Sequence, residues 1–289
     1  MNINIILAHR NSVRFMSQQV TLLRKLIKLN SGSRLKFFGY VDSENEKTRK
    51  LMSDKWLELD VEPIQVPEEI SGVVRSETSC SESFGLSSQW VYENYIKNNT
   101  KDIFVCIESD VMPFKEINIE EYVKDFEVCG EIRFNSAFLP DRMNHFWLGL
   151  LIYNKSLMKN SDLWSSRHSD NLKSLNTGRE YWADCGGESY FWIEKNKENR
   201  KIRQMVTKGN ENYNGFSSNQ CKPHQIGGDI ENLPEIFRQN YDCTYRVLIY
   251  DDIFIHLGEM GKELIWCSHD EYTATKKFNW WLECYNKLK

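Results

Sequence analysis

Residues 103–113 read IFVCIESDVMP and are the most informative segment of the chain for its fold. Its first five residues are apolar without alternation, and this pattern predicts a strand buried on both faces, as in a parallel sheet. Glu108 and Asp110 follow where the strand ends, and a strand period of two places both carboxylates on the same side. In open α/β sheets, ligands bind beyond the carboxyl ends of the strands, which is where these two acids stand.

Two carboxylates held side by side repel each other unless a cation lies between them. Oxygen ligands suit Mg²⁺ or Mn²⁺, ions that commonly complete their coordination with substrate phosphate oxygens. A solvated turn after a strand is the alternative interpretation of such an acid pair. The apolar strand before the pair and Pro113 after it favour a divalent metal site at Glu108 and Asp110.

Strand and helix patterns alternate through the first half of the chain, which predicts right-handed crossovers and a parallel sheet. Apolar runs predict strands at 3–8, 35–41, 61–66 and 103–107, and helices are predicted at 16–27, 44–56 and 81–97. The second half is less regular. It has predicted strands at 131–138, 147–153 and 245–257 (with a break at 251–252), predicted helices at 188–197 and around 278–281, and predicted loops at 161–179 and 208–228. We therefore expect an α/β fold with a mixed, mostly parallel central sheet flanked by helices.

Composition excludes several classes of protein. The net charge of −4 over 289 residues argues against a broad nucleic-acid-binding surface, which needs excess Lys and Arg. Aromatic residues make up 13% of the chain, which excludes disorder, and no apolar run approaches the roughly 20 residues that span a bilayer. The eight cysteines form no CxxC motif, and no export signal opens the chain, so we expect reduced thiols in a cytoplasmic protein.

Three further segments carry candidate site residues. His256 closes an apolar run and is followed by Gly258 and Lys262, so it is a candidate nitrogen ligand to the metal beside a candidate phosphate-binding lysine. Ala8 ends the first strand, and His9 and Arg10 follow it and open the first helix, where backbone amides attract anions.

Asp184 and Glu188 flank the Gly186-Gly187 pair just before a predicted aromatic helix, where an acid is well placed to accept a proton from a hydroxyl. Their alternative role is to stabilise a helix N-terminus. Asp42 and Arg75 are weaker candidates, for the base or ribose and for a diphosphate respectively.

The order of these motifs resembles metal-dependent, nucleotide-sugar glycosyltransferases of the GT-A fold, and within them the β-1,4-galactosyltransferase-like group. The matching islands are residues 9–12 (HRNS), 108–113 (ESDVMP), 146–155 (FWLGLLIYNK) and 185–189 (CGGES), followed by a late His256. The chain departs from that group in having Glu108 for the first Asp of its metal motif and Ser189 for its Asp after the Gly-Gly-Glu sequence. The sequence HLGEMGK at 256–262 also resembles retaining GT-A enzymes related to glycogenin.

The resemblance implies one GT-A domain over 1–289, with a nucleotide-sugar half (1–115) and an acceptor half (116–289). It implies transfer from UDP-xylose, UDP-galactose or a similar donor to a glycan or glycoconjugate hydroxyl, with inversion and with Mn²⁺ or Mg²⁺. The implied metal ligands are Glu108, Asp110 and His256; the implied donor contacts are Ala8, His9, Arg10, Asp42, Arg75, Ser109, Gly258 and Lys262; Glu188 or Asp184 is the base; and Trp147, Trp182, Gly187 and Trp192 meet the acceptor.

Without a signal or anchor, the chain is similar to soluble members of bacteria or large DNA viruses, for instance chlorella viruses. Three alternatives remain open: a retaining transferase, a non-catalytic glycan- or nucleotide-binding module on a degenerate transferase scaffold, and a metal phosphohydrolase or nucleotidyltransferase.

Overall fold

The computed structural model describes residues 1–13, 15–71, 80–134, 143–195, 197–208, 235–238, 247–257, 279–284 and 286–287. The strands are β1 (Asn2–Ala8), β2 (Ile27–Lys28), β3 (Arg34–Val41), β4 (Glu62–Gln65), β5 (Ile103–Glu108), β6 (Val111–Pro113), β7 (Ile117–Asn118), β8 (Val128–Phe134), β9 (Asn144–Asn154), β10 (Ser169–Lys173), β11 (Glu180–Ala183), β12 (Ile202–Gln204), β13 (Thr207–Lys208), β14 (Val247–Tyr250) and β15 (Phe254–Leu257). The helices are α1 (Met16–Leu26), α2 (Glu46–Glu58), α3 (Cys80–Val91), α4 (Ile119–Val123), α5 (Ser189–Glu194) and α6 (Glu235–Arg238).

The central sheet has seven strands in the order β12-β8-β9-β5-β1-β3-β4. Strand β9 runs antiparallel to both of its neighbours, and the other four pairings are parallel. Helices connect the parallel strands, so the mixed, mostly parallel α/β sheet expected from the sequence is confirmed. Strands from both halves of the chain belong to this one sheet.

A second, four-stranded sheet in the order β13-β14-β15-β6 adjoins the central one. Ser109 and Asp110 form the two-residue turn between β5 and β6. The chain therefore passes from the central sheet to the second sheet at the acidic motif. Strand β15 pairs antiparallel with β6 and sets His256 opposite Val111. This pairing brings residues from distant parts of the sequence to the junction of the two sheets.

Much of the aromatic excess is packed inside the molecule. Trp56, Trp164, Trp192 and Trp281 are among the largest fully buried side chains. Burying a ring of this size removes roughly 200 Å² from water and contributes about 5 kcal/mol before the entropic cost of ordering. Packing of this core is thus the main use of the tryptophans.

Two predicted segments differ in detail from the structure, and one predicted break is confirmed. The polar stretch 161–179, predicted as a loop, contains β10, which forms an antiparallel hairpin with β11. Here backbone pairing stabilises a strand without an apolar run. The predicted helix at 81–97 changes from α-helix to a π-helical turn at Tyr92–Ile96. The predicted break at 251–252 is confirmed, since Asp251 and Asp252 both have positive φ between β14 and β15. Within the described part of the chain, no helix combines the length and apolar character needed to cross a membrane.

Candidate metal and donor site

The acidic motif lies at the carboxyl edge of the central parallel strands. Strands β1 and β5 end together there, with Ala8 opposite Glu108 in the register. Asp110 is 4% exposed and Ser109 is also buried, whereas Glu108 is partly exposed. The acid pair therefore stands at the strand end, as predicted, with the carboxylate of Glu108 accessible and that of Asp110 buried.

His256 completes a cluster of three ligand-type side chains. Its Nε2 lies 3.5 Å from Oδ1 of Asp110, and ligand atoms of Glu108, Asp110 and His256 all lie within 4.8 Å of one another. Ligands about 2.1 Å from a six-coordinate ion lie roughly 3 to 4 Å apart, so the spacing is close to what one ion requires. Two carboxylates and an imidazole suit Mn²⁺ or Mg²⁺, with the nitrogen favouring Mn²⁺.

A buried glutamine on α1 holds the acidic turn in place. The Nε2 group of Gln19 donates hydrogen bonds to the main-chain carbonyls of Glu108 and Val111, each at 2.8 Å. These two carbonyls flank the Ser109–Asp110 turn on both sides. Gln19 is fully buried, so its amide is a fixed strut between α1 and the turn. Gln19 is not among the site residues predicted from the sequence.

His9 supports this strut. Its Nε2 lies 2.9 Å from Oε1 of Gln19, and its ring packs edge-on against Trp56. Because the Gln19 amide group donates to two carbonyls, its Oε1 must accept, and His9 donates through Nε2. Burial lowers the pKa of His9 to about 4, and the hydrogen bond to Gln19 offsets this only in part. His9 is thus a neutral, fully buried side chain beneath the site and presents no surface to a donor.

Arg10 and Asp42 form an ion pair across the ends of β1 and β3. Nε of Arg10 lies 2.8 Å from Oδ2 of Asp42, and Arg10 also contacts the hydroxyl of Ser83. Asp42 is fully buried and accepts hydrogen bonds from the hydroxyls of Ser71 and Ser87. The carboxylate of Asp42 is therefore inside the protein, where it cannot face a base or ribose, and Arg10 is held by Asp42.

Steric crowding explains why glycine stands at both positions of the Gly186-Gly187 pair. Gly186 has φ +85°, and a Cβ there would collide with the carbonyl oxygen of Phe146. A Cβ on Gly187 would lie 2.5 Å from the Cβ of Ala183. Gly187 is buried, and Ser189 is fully buried, with its Oγ accepting the amide N–H of Phe146 at 2.8 Å. The turn before α5 thus needs Gly186 for close packing on β9 and Gly187 for close packing against Ala183 of β11.

The two candidate bases differ in their surroundings. Asp184 is 7% exposed; its Oδ1 accepts the amide N–H of Cys185 at 2.7 Å, and its Oδ2 lies 3.6 Å from Nη1 of Arg133. Glu188 is only partly buried, and its Oε2 accepts a hydrogen bond from the hydroxyl of Ser165 at 2.6 Å. The carboxylate of Glu188 is the more accessible of the two.

Of the three tryptophans expected at the acceptor site, the structure leaves one exposed. Trp182 on β11 is 42% exposed and meets His168 edge-on. Trp192 is fully buried beneath the guanidinium of Arg200, and Trp147 is 5% exposed, so neither offers a ring face to a sugar. Arg75, Gly258, Lys262 and the segment 209–228 lie outside the described residues.

No family model matches the chain, and no curated protein matches it. Among solved structures, it is similar to apo mouse xyloside xylosyltransferase 1, at 10% identity and a TM-score of 0.40, over 71% of this chain and 85% of that one. It is similar to the galactosyltransferase LgtC in complex with donor and acceptor sugar analogues, at 12% identity and a TM-score of 0.36, over 54% of this chain and 58% of that one. It is also similar to S. aureus TarS 1-349, at 12% identity and a TM-score of 0.38, over 70% of this chain and 57% of that one. These likenesses are too distant to carry an argument about activity, so the function rests on the site itself.

Proposed function

We propose that the chain is a metal-dependent glycosyltransferase that moves a monosaccharide from a nucleoside diphosphate sugar to a glycan hydroxyl. One observation carries the proposal: Glu108, Asp110 and His256 converge at the carboxyl edge of a parallel sheet, at a spacing suited to one divalent ion. This is the edge where open α/β sheets bind ligands. The order of motifs along the sequence, which resembles GT-A transferases, supports the same function.

The three side chains would hold Mn²⁺ or Mg²⁺, which when bound supplies Lewis-acid stabilisation of the departing diphosphate. Asp110 and His256 are buried and would bind the ion on the side of the protein interior. Glu108 is partly exposed and would bind the ion on the side that faces the donor. Gln19 keeps the acidic turn at its place on the strand edge. The chain thus provides a preorganised site that would neutralise the negative charge of the diphosphate as it departs. Stabilising this charge is the main requirement for the departure of a nucleoside diphosphate.

We assign the general base to Glu188 and not to Asp184. The acceptor oxygen forms the new bond to the anomeric carbon, the bond from that carbon to the diphosphate oxygen breaks, and its electron pair leaves with the nucleotide. The acceptor proton passes to Glu188, whose carboxylate is accessible. Asp184 is buried against Arg133, so a substrate hydroxyl reaches it less easily. Direct attack of this kind inverts the anomeric configuration.

Trp182 is our proposed acceptor platform, because its exposed indole can stack on the apolar face of a sugar ring. UDP-xylose and UDP-galactose are the donors to test first.

The activity test measures nucleotide products from a panel of nucleoside diphosphate sugars incubated with the protein, Mn²⁺ and oligosaccharide acceptors. We expect metal-dependent release of nucleoside diphosphate, and at least a 100-fold slower release by Asp110→Asn. Release of nucleoside monophosphate or phosphate instead would identify a nucleotidyltransferase or phosphohydrolase. Donor binding with no product would identify a binding module.

The assignment of the base has its own comparison. Glu188→Gln is expected to slow transfer by about 10² to 10⁴ without changing donor affinity, as for loss of a general base. Glu180→Gln on β11 is the matched control, since Glu180 is an exposed acid nearby in the sequence. This variant should catalyse transfer at the wild-type rate. Full activity of Glu188→Gln, or retention of configuration in the product, contradicts the assignment.

A further inference from the structure

A line of buried polar groups leads away from His256 on the side of the ring that does not face Asp110. Nδ1 of His256 lies 3.4 Å from the hydroxyl oxygen of Tyr250. The same hydroxyl lies 3.3 Å from Oε2 of Glu131, which is also 3.1 Å from Nη2 of Arg133. The line therefore runs from the candidate metal ligand through β14 to two residues of β8.

The chemistry of these groups determines which atom donates and which accepts in each hydrogen bond. A carboxylate paired with an arginine only accepts hydrogen bonds, so the Tyr250 hydroxyl donates its single proton to Glu131. The hydroxyl oxygen can then only accept from His256, and Nδ1 of the ring must carry a hydrogen. The Nε2 atom, 3.5 Å from Oδ1 of Asp110, is left with its lone pair directed toward the cluster. That is the tautomer a metal ligand requires.

Packing holds the ring in the same orientation. The ring of His256 lies 4.8 Å from that of Trp147 and is nearly parallel to that of Tyr250, with ring centres 6.4 Å apart and planes 20° apart. The guanidinium of Arg133 covers Trp147 at 4.6 Å. All five residues of this group (Glu131, Arg133, Trp147, Tyr250, His256) are buried, at most 7% exposed. Trp147, expected at the acceptor, is therefore part of the support for His256.

We propose that Tyr250, backed by Glu131, is a positioning residue that selects the Nδ1–H tautomer of His256 and aims Nε2 at the divalent ion. The inference rests on the proposed function, because it assigns a role at the same metal site. Partners of this kind orient metal-bound histidines, and their removal commonly costs 10- to 100-fold in metal affinity. The sequence gives no sign of this role, since Glu131 and Tyr250 are 119 residues apart.

The test is Mn²⁺ binding, measured by the decrease of the free-ion electron paramagnetic resonance signal, without any donor. Tyr250→Phe is expected to weaken Mn²⁺ binding 10- to 100-fold and to reduce the echo modulation from a coordinated imidazole nitrogen. In a His256→Ala background, the same change should cost nothing further, because its effect passes through His256. Glu131→Gln should weaken binding in the wild-type background and have no additional effect in Tyr250→Phe.

Tyr92→Phe is the matched control. It removes another buried tyrosine hydroxyl, one that donates to the carbonyl of Ser161 at 2.7 Å, and should leave Mn²⁺ affinity unchanged. Unchanged affinity in a folded Tyr250→Phe, or an equal loss in the His256→Ala background, overturns the inference. A wild-type protein that binds no Mn²⁺ overturns both the inference and the metal site, whereas Mn²⁺ binding without nucleotide release contradicts only the proposed function.

Discussion

Replacing Gln19 by Met is the sharpest test of how the acidic turn is held. Methionine has nearly the same length and remains apolar, so it fills the space but removes the amide group. The substitution takes one donor each from the carbonyls of Glu108 and Val111, and it removes the acceptor of the His9 N–H. Because Gln19 is fully buried, water cannot replace these contacts without opening the core.

The magnitude follows from three lost hydrogen bonds. A typical net contribution is about 0.5 to 1.5 kcal/mol per bond, and more where a buried partner stays unsatisfied. The expected loss of unfolding free energy is therefore about 2 to 5 kcal/mol. A second effect accompanies it: the turn that carries Asp110 is no longer tied to α1, so Mn²⁺ affinity should also fall.

Urea unfolding followed by circular dichroism measures the first effect, and Mn²⁺ titration below the unfolding transition measures the second. The control is Gln65→Met, since Gln65 is exposed and its amide makes only exposed hydrogen bonds, donating to Ser53 and accepting from Arg49; its expected effect is within about 0.5 kcal/mol. A Gln19→Met protein as stable as the wild type, with unchanged Mn²⁺ affinity, refutes the view of Gln19 as a strut.

Three further predictions concern charge and exposure. Burial lowers the pKa of both His9 and His145 from 6.5 to about 4 in the folded protein. Between pH 6.5 and about pH 4, the unfolded chain therefore binds more protons than the folded protein does. Stability should then fall as pH drops from about 6.5 toward 4, by up to about 3 kcal/mol per histidine, and a flat urea midpoint over this range contradicts it. Asp42→Asn leaves Arg10 without its buried counter-charge and should lower the unfolding free energy by about 3 kcal/mol, as urea unfolding would show; a loss below 1 kcal/mol would mean the pair matters little. Trp182→Ala should raise the acceptor KM about tenfold with an unchanged melting temperature, and an unchanged KM excludes Trp182 as the platform.

The sequence predicts best where one local pattern has one physical cause. Residues 103–110 are an example, because a short, unalternating apolar run rich in β-branched and aromatic residues favours a strand buried on both faces, and its end fixes where Glu108 and Asp110 stand. The break at Asp251 and Asp252 is another, since two polar residues interrupt an apolar strand where the chain must reverse. His256 could be predicted as a candidate ligand because it closes an apolar run. Its actual contact depends on the pairing of β15 with β6.

Burial of side chains that suit both core and surface was harder to predict. Trp147, Trp182 and Trp192 have the same chemistry, yet only Trp182 is exposed among them. Nothing local distinguishes a stacking tryptophan from a core one. Gln19 did leave a signal: it lies on the apolar face of α1 with Met16, Val20 and Leu23, and a polar residue there needs buried partners. Which carbonyls it meets depends on how α1 packs against the second sheet.

We propose above that Glu108, Asp110 and His256 bind one divalent ion at the junction of the two sheets. The most direct measurement is an anomalous difference map from crystals of the protein grown with Mn²⁺ and UDP. We expect a single strong peak within about 2.3 Å of an oxygen of Asp110 and of Nε2 of His256, with UDP phosphate oxygens completing the coordination. Ordered UDP with no peak between these side chains, or with Mn²⁺ bound elsewhere, would contradict it.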